Sequence, residues 1–134
     1  VRPHPDRRIE WCLALQTLAF GLFLTLPAVS MDAIAFMQLW MPGAWWGVTF
    51  AATGALHCLA LLLNGRRWWT PYVRAAMTIS NLLAYTLLLA GFWLLDPHTT
   101  AVATYGGLCV AACTCLYGAI KDSVHAGDTH AVRR

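Results

Sequence analysis

Four stretches of this chain are apolar almost without interruption, and none shows the short alternating pattern of a soluble core. They run from about Ile9 to Val29, Ala44 to Leu63, Val73 to Leu95 and Thr100 to Ile120. A bilayer's hydrocarbon core is about 30 Å thick, so a spanning helix needs roughly 20 mostly apolar residues. All four stretches are long enough. None contains Asp, Glu, Lys or Arg beyond its first turn. The breaks between them carry helix-end residues: Pro42-Gly43 before the second, Asn64-Gly65 after it, Thr70-Pro71 as cap and first turn of the third, and Asp96-Pro97 between third and fourth. The pattern predicts an all-α integral membrane four-helix bundle, a single transmembrane domain over residues 1–134 with a short cytoplasmic tail at 121–134.

Composition agrees. Of the 134 residues, 59% are hydrophobic and 11% charged, against about 25% charged in a soluble domain. Too few charges are present to cover a globule, and mean hydropathy is +0.57. The net charge of +3 does not imply a nucleic-acid partner, because the basic residues are dispersed among apolar runs and form no stripe. The expected partner is the lipid bilayer.

The charges also assign an orientation. Arg2, Arg7 and Arg8 precede the first span, Arg66, Arg67 and Arg74 lie at the turn after the second, and Lys121, Arg133 and Arg134 follow the fourth. These are all nine Lys and Arg residues, and they fall on one side of a four-span arrangement. Basic residues are retained in the cytoplasm. Both termini are therefore expected inside, with Arg66, Arg67, Trp68, Trp69 and Arg74 forming the cytoplasmic turn. Trp11, Trp68 and Trp69 lie at that boundary; Trp40, Trp45, Trp46 and Trp93 lie at the other, as aromatic belts do. Arg7-Arg8, an apolar run and Ala28-Val29-Ser30 resemble a signal peptide, but the run exceeds a usual signal core and reads as a span. Between the first two spans, Met31 to Trp40 suggests a short interfacial helix with Met31, Ile34, Met37 and Trp40 on one face.

Helix association in lipid depends on close packing at small residues. The fourth span carries Gly107, Ala111, Cys115 and Ala119 at every fourth position, a packing stripe and the candidate contact with another subunit. Comparable sets are Thr17, Gly21 and Thr25 in the first span, Gly47, Ala51 and Ala55 in the second, and Ala76, Ser80 and Ala84 in the third. Gln16, His57 and Asn81 each lie roughly two turns, about 10–13 Å, from the basic end. They are expected to converge as an intramembrane polar cluster. Two roles are open to it: hydrogen bonds that set helix register, worth about 1 kcal/mol each, or a site in which His57 titrates or grips a ligand. The structural role is favoured, because all six acidic residues are placed at or beyond the membrane boundary and no carboxylate accompanies the histidine.

Five cysteines invite a metal reading, but Cys113 and Cys115 point to nearly opposite faces of a helix and no Cys-x-x-Cys is present. They read as small hydrophobes in a reducing compartment. A haem would want a second buried histidine, whereas His4, His98, His125 and His130 lie outside the spans. No metal, cofactor or catalytic residue is expected. Hydrolase, protease, P-loop and dinucleotide motifs do not occur, and the chain does not read as an enzyme.

From the second span onward, "WWGVTF…G…LALLLNGRRWWTPYVRA" and later "LYGAIKDS" resemble small four-span proteins of tailed bacteriophages and prophages. The matching positions are Trp46, Gly47, Gly54, Asn64, Gly65, Arg66, Pro71, Val73, Arg74, Ala75, Tyr117, Ala119 and Asp122, across residues 44–122. The resemblance implies a virus-encoded protein in the host's inner membrane and brings no catalytic role with it. Three functions are expected to compete: a self-associating, holin-like protein that modifies the host membrane; a non-catalytic accessory subunit or virion component on a larger membrane complex; and a small transporter or ligand-binding bundle centred on His57.

Overall fold

The computed structural model describes residues 7–26, 35–63 and 69–132, with side chains described as far as 125. Within them the chain is helical: α1 (Arg8–Leu24), the short α2 (Ala35–Gln38), α3 (Gly43–Leu62), α4 (Thr70–Leu95) and α5 (Thr100–Val132). No strand occurs among the described residues. Three of these helices, α3, α4 and α5, are long and apolar enough to cross a membrane. With 17 helical residues, α1 reaches about 26 Å at 1.5 Å per residue.

The helix ends follow the local chemistry. Pro42 stands just ahead of α3 with an extended ψ of 144° and cannot continue a helix backwards. Thr70 is the first helical residue of α4 rather than its cap; Trp69 holds the cap position and Pro71 the second helical one. Between α4 and α5 the backbone N–H of His98 donates to the Asp96 carboxylate at 3.0 Å, a side-chain turn that reverses the chain in four residues. The expected tail from 121 is not a separate segment: α5 continues to Val132, so its 33 residues extend about 50 Å, well beyond the thickness of a bilayer core. Of the helix predicted between Met31 and Trp40, Ala35–Gln38 is helical and Leu39 and Trp40 form a turn. Met37 is buried while Trp40 is exposed; Met31 and Ile34 lie outside the described residues.

Contacts between helices establish their directions. Gly21 meets Ala51, and Leu18 meets Gly54, so α1 and α3 run antiparallel. Arg74 meets Asp122 and Phe92 stacks on Tyr105 at 5.3 Å, so α4 opposes α5; Glu10 meets Arg74 and Thr17 meets Tyr85, so α4 runs along α1 and opposes α3. Successive long helices thus alternate in direction. A Cβ on Gly21 would stand 2.7 Å from the Ala51 Cα, and one on Gly54 would stand 2.6 Å from the Leu18 Cα. These two helices therefore approach backbone to backbone, which a glycine alone permits. The end of the molecule away from Arg7 is aromatic: Phe20, Phe50, Trp46, Phe92 and Tyr105 interlock, and the Trp46 indole N–H donates to the Met37 carbonyl at 2.8 Å.

Candidate functional site: a buried polar network

The core of the opposite end is polar. On α4 the residues Thr70, Arg74, Thr78, Asn81, Tyr85 and Leu88 recur at helical spacing and are all buried. On α1 the inward face carries Glu10, Leu13, Ala14, Thr17, Gly21 and Leu24. On α3 it carries Gly47, Phe50, Gly54, His57, Ala60 and Leu61. One ionisable side chain from each helix is thereby brought to the same point.

Arg74, 2% exposed, grips Glu10 with two parallel bonds. Its Nε donates to Oε1 at 2.7 Å and its Nη2 to Oε2 at 2.6 Å. This bidentate fork is the strongest geometry available to a guanidinium and a carboxylate. The remaining guanidinium nitrogen, Nη1, donates to Asp122 Oδ2 on α5 at 3.0 Å, and Arg7 Nη2 donates to the same oxygen at 3.1 Å. Two carboxylates and two guanidiniums thus alternate, and their formal charges cancel. Burial pushes the Arg7 guanidinium down from its ordinary value, and Arg74 adds to that push, while Asp122 and Glu10 act against it.

His57 is 0% exposed and continues the chain inward. Its Nε2 lies 3.4 Å from Glu10 Oε1, and its Nδ1 lies 3.1 Å from Asn81 Nδ2. A carboxylate oxygen accepts only, and an amide nitrogen donates only. With a proton on Nε2 and none on Nδ1, the ring donates to Glu10 and accepts from Asn81. Asn81, also 0% exposed, is left with its Oδ1 unpartnered. Deeper along the same faces, Thr17 Oγ1 donates to the Leu13 carbonyl at 2.9 Å, so the Tyr85 hydroxyl donates to Thr17 at 2.6 Å.

His57 and Asn81 are thus brought together, and Gln16 is not. Gln16 is exposed on the outer side of α1. Adjacent helical residues differ by about 100° in direction, and it is Thr17 that faces inward. The partner from α1 is Glu10, which sequence reasoning assigned to the membrane boundary. Arg74, expected in the cytoplasmic turn, is one of the most buried side chains instead. A signal for both was present: Glu10 and Thr17 are seven residues apart, as are Arg74 and Asn81, and seven residues return to one helix face. Of the other turn residues, Trp69 is partly exposed, while Arg66, Arg67 and Trp68 lie outside the described residues.

The small-residue stripe of α5 splits. Ala119 is buried, Ala111 and Cys115 are half-buried, and Gly107 is exposed, with nothing within 4 Å of where a Cβ would stand. Steps of four residues drift about 40° around a helix, so the stripe begins outside and ends inside. On α4 the inward face is not Ala76, Ser80 and Ala84, since Ala76 is exposed. The larger polar set at Thr78, Asn81 and Tyr85 takes that place.

All five cysteines are free thiols. Among the described residues no group of three or more His, Cys, Asp or Glu side chains could hold a metal ion. No protein family, curated protein or solved structure matches the chain.

Proposed function

We propose that the chain is a phage-type inner-membrane protein of four spans, with both termini cytoplasmic, that self-associates and modifies the host membrane in the manner of a holin. The observation that carries this reading is the outward face of α5. Gly107 has open space around it, and Val110 and Tyr117 are 66% and 74% exposed on the same helix. Small residues let helix backbones approach in lipid. On α1 and α3 that capacity is used within the chain; at Gly107 it is free for a second copy. The basic residues at the Arg7 end support the inward orientation, and α1, though shorter than its neighbours, begins beside them.

Exposed Cys113 on that helix supplies the test. Mild oxidation in membranes is expected to give a Cys113-dependent covalent dimer, weakened by Gly107→Leu. Expression in a bacterial host is expected to dissipate the membrane potential. A chain that stays monomeric at every expression level removes the self-association reading. A dimer without any change in potential favours the accessory-subunit role. For orientation, in a cysteine-free background, Ser123→Cys is expected to be protected from an impermeant thiol reagent in intact cells and Thr99→Cys to react. The reverse labelling pattern overturns the topology.

The rival reading, a transporter or ligand-binding bundle centred on His57, gains from Glu10. Lack of a companion carboxylate was the argument against it, and Glu10 stands 3.4 Å from the imidazole. The full pairing of Glu10 by Arg74 weighs the other way, since a carboxylate already neutralised by a guanidinium has no charge left to grip a ligand.

A further inference from the structure

We propose that His57 is a reversible proton-binding site, held between the Glu10 carboxylate and the Asn81 amide, with Asn81 turning over to follow the proton. Two observations carry this. The Asn81 Oδ1 is buried without a partner beside the ring, and a buried unpartnered acceptor calls for an explanation. The other ring nitrogen faces a carboxylate.

Of the forms open to the ring, one uses both neighbours as acceptors. The neutral ring with its proton on Nε2 donates to Glu10 and accepts from Asn81 Nδ2, leaving Oδ1 idle. The other neutral tautomer turns a lone pair toward the Glu10 carboxylate and loses that bond. The imidazolium donates from both nitrogens. Its Nε2–H points to Glu10, and its new Nδ1–H is accepted by Oδ1 once the amide has rotated by half a turn. The step is a simple proton uptake: water at the Arg7 end supplies H⁺, an N–H bond forms at Nδ1, and no other bond changes.

The charged groups around the ring come from every helix that meets it. Glu10 faces it from α1, and Arg74 and Asn81 come from α4. Asp122 and Arg7 stand one layer further out, bonded to Arg74 and to each other. From α5 the Cys115 thiol packs against the adjoining apolar core. With the ring neutral these charges balance; with the proton bound the core carries one positive charge. Proton occupancy thereby changes the electrostatics of a buried core, whatever the oligomeric state.

The test uses the full chain in lipid bilayers, labelled with ¹⁵N-histidine and side-chain ¹⁵N-asparagine, with His4, His98, His125 and His130 replaced by Gln and Asn64 by Ser. Ring nitrogen signals are followed from about pH 8 to about pH 5, the range in which imidazole side chains change charge. One protonated nitrogen is expected at the upper limit and two at the lower, with the Asn81 side-chain amide signal moving in step. Asn81→Leu, which keeps the bulk and removes the acceptor, is expected to lower the midpoint by about one pH unit, a tenfold weaker proton affinity. A ring that holds a single proton over the whole range overturns the proposal. So does a titration that leaves the Asn81 amide signal unmoved, a measurement on the parent chain that stands even where Asn81→Leu fails to fold.

Discussion

Gly54 and Gly107 occupy similar settings in the sequence, each among small residues in the middle of an apolar run, and they meet opposite fates. Around Gly54 the α1 backbone is so close that a Cβ would stand 2.6 Å from the Leu18 Cα. Around Gly107 there is nothing within 4 Å. The difference lies in which way each helix is turned. The α3 face with Gly47 and Gly54 also carries His57, and the bonds from His57 to Glu10 and Asn81 hold that face inward. The corresponding anchor of α5 is Asp122, which ties the far end of the helix to Arg74 and Arg7 and turns Ala119 inward. Gly107, three steps up the stripe, is carried round to the outside. Small residues permit close approach; polar side chains choose where it happens.

That comparison can be broken first at the anchor. Arg74→Met leaves Glu10 buried without its guanidinium partner and leaves the partly exposed Asp122 with Arg7 alone. Removing one member of a buried ion pair costs about 3–5 kcal/mol, and reversible unfolding in mixed micelles should show a loss of that size. An unchanged midpoint would mean that the network does not orient the helices. Gly54→Leu comes next. It forces the α1 and α3 backbones apart and is expected to cost about 3 kcal/mol, at the upper end for overpacking, in the same unfolding measurement.

His57→Leu should cost less, about 1 kcal/mol, the scale of hydrogen bonds between membrane helices. Glu10 keeps both bonds to Arg74 in this variant, so a loss as large as that of Arg74→Met would make the histidine the true anchor. At the smallest end, Gly107→Leu and Gln16→Leu should each change the stability of the single chain by less than about 0.5 kcal/mol, as substitutions at open positions do. Only Gly107→Leu should reduce Cys113 crosslinking. Equal crosslinking in the two variants would detach the open α5 face from association.

Much of the architecture was legible along the chain. The breaks at Pro42-Gly43, Thr70-Pro71 and Asp96-Pro97 lie at helix starts and ends within a few residues of those found, because proline and Asx-turn chemistry act locally. The convergence of His57 and Asn81 was legible as shared depth, since rise per residue is nearly constant. Gln16 was expected in the cluster and Glu10 at the membrane boundary, whereas Glu10 meets His57 and Gln16 is exposed, and the cause is specific. Depth places a residue along a helix axis, whereas pairing also needs rotation about that axis, and Gln16 lies about 100° from the Thr17–Gly21 face.

Length, apolarity and the spacing of turn residues therefore determined, from sequence alone, that this protein is built of long helices and where they begin, while the end of α5 lies at Val132 and not at the expected Ile120. Tertiary structure decided how each helix is rotated, and with it that Glu10 and Arg74 are core residues and Gly107 is a surface one. In a soluble helix, contrast between polar and apolar faces reveals rotation. Here outward-facing positions are apolar and so are many inward ones, exposed Leu83 and buried Leu88 on one helix among them, and the polar residues that mark the inward face are few. With that contrast weak, the rotation is set by a few long-range pairings, Glu10 with Arg74, His57 with Asn81 and Asp122 with Arg7, which exist only once the helices have met.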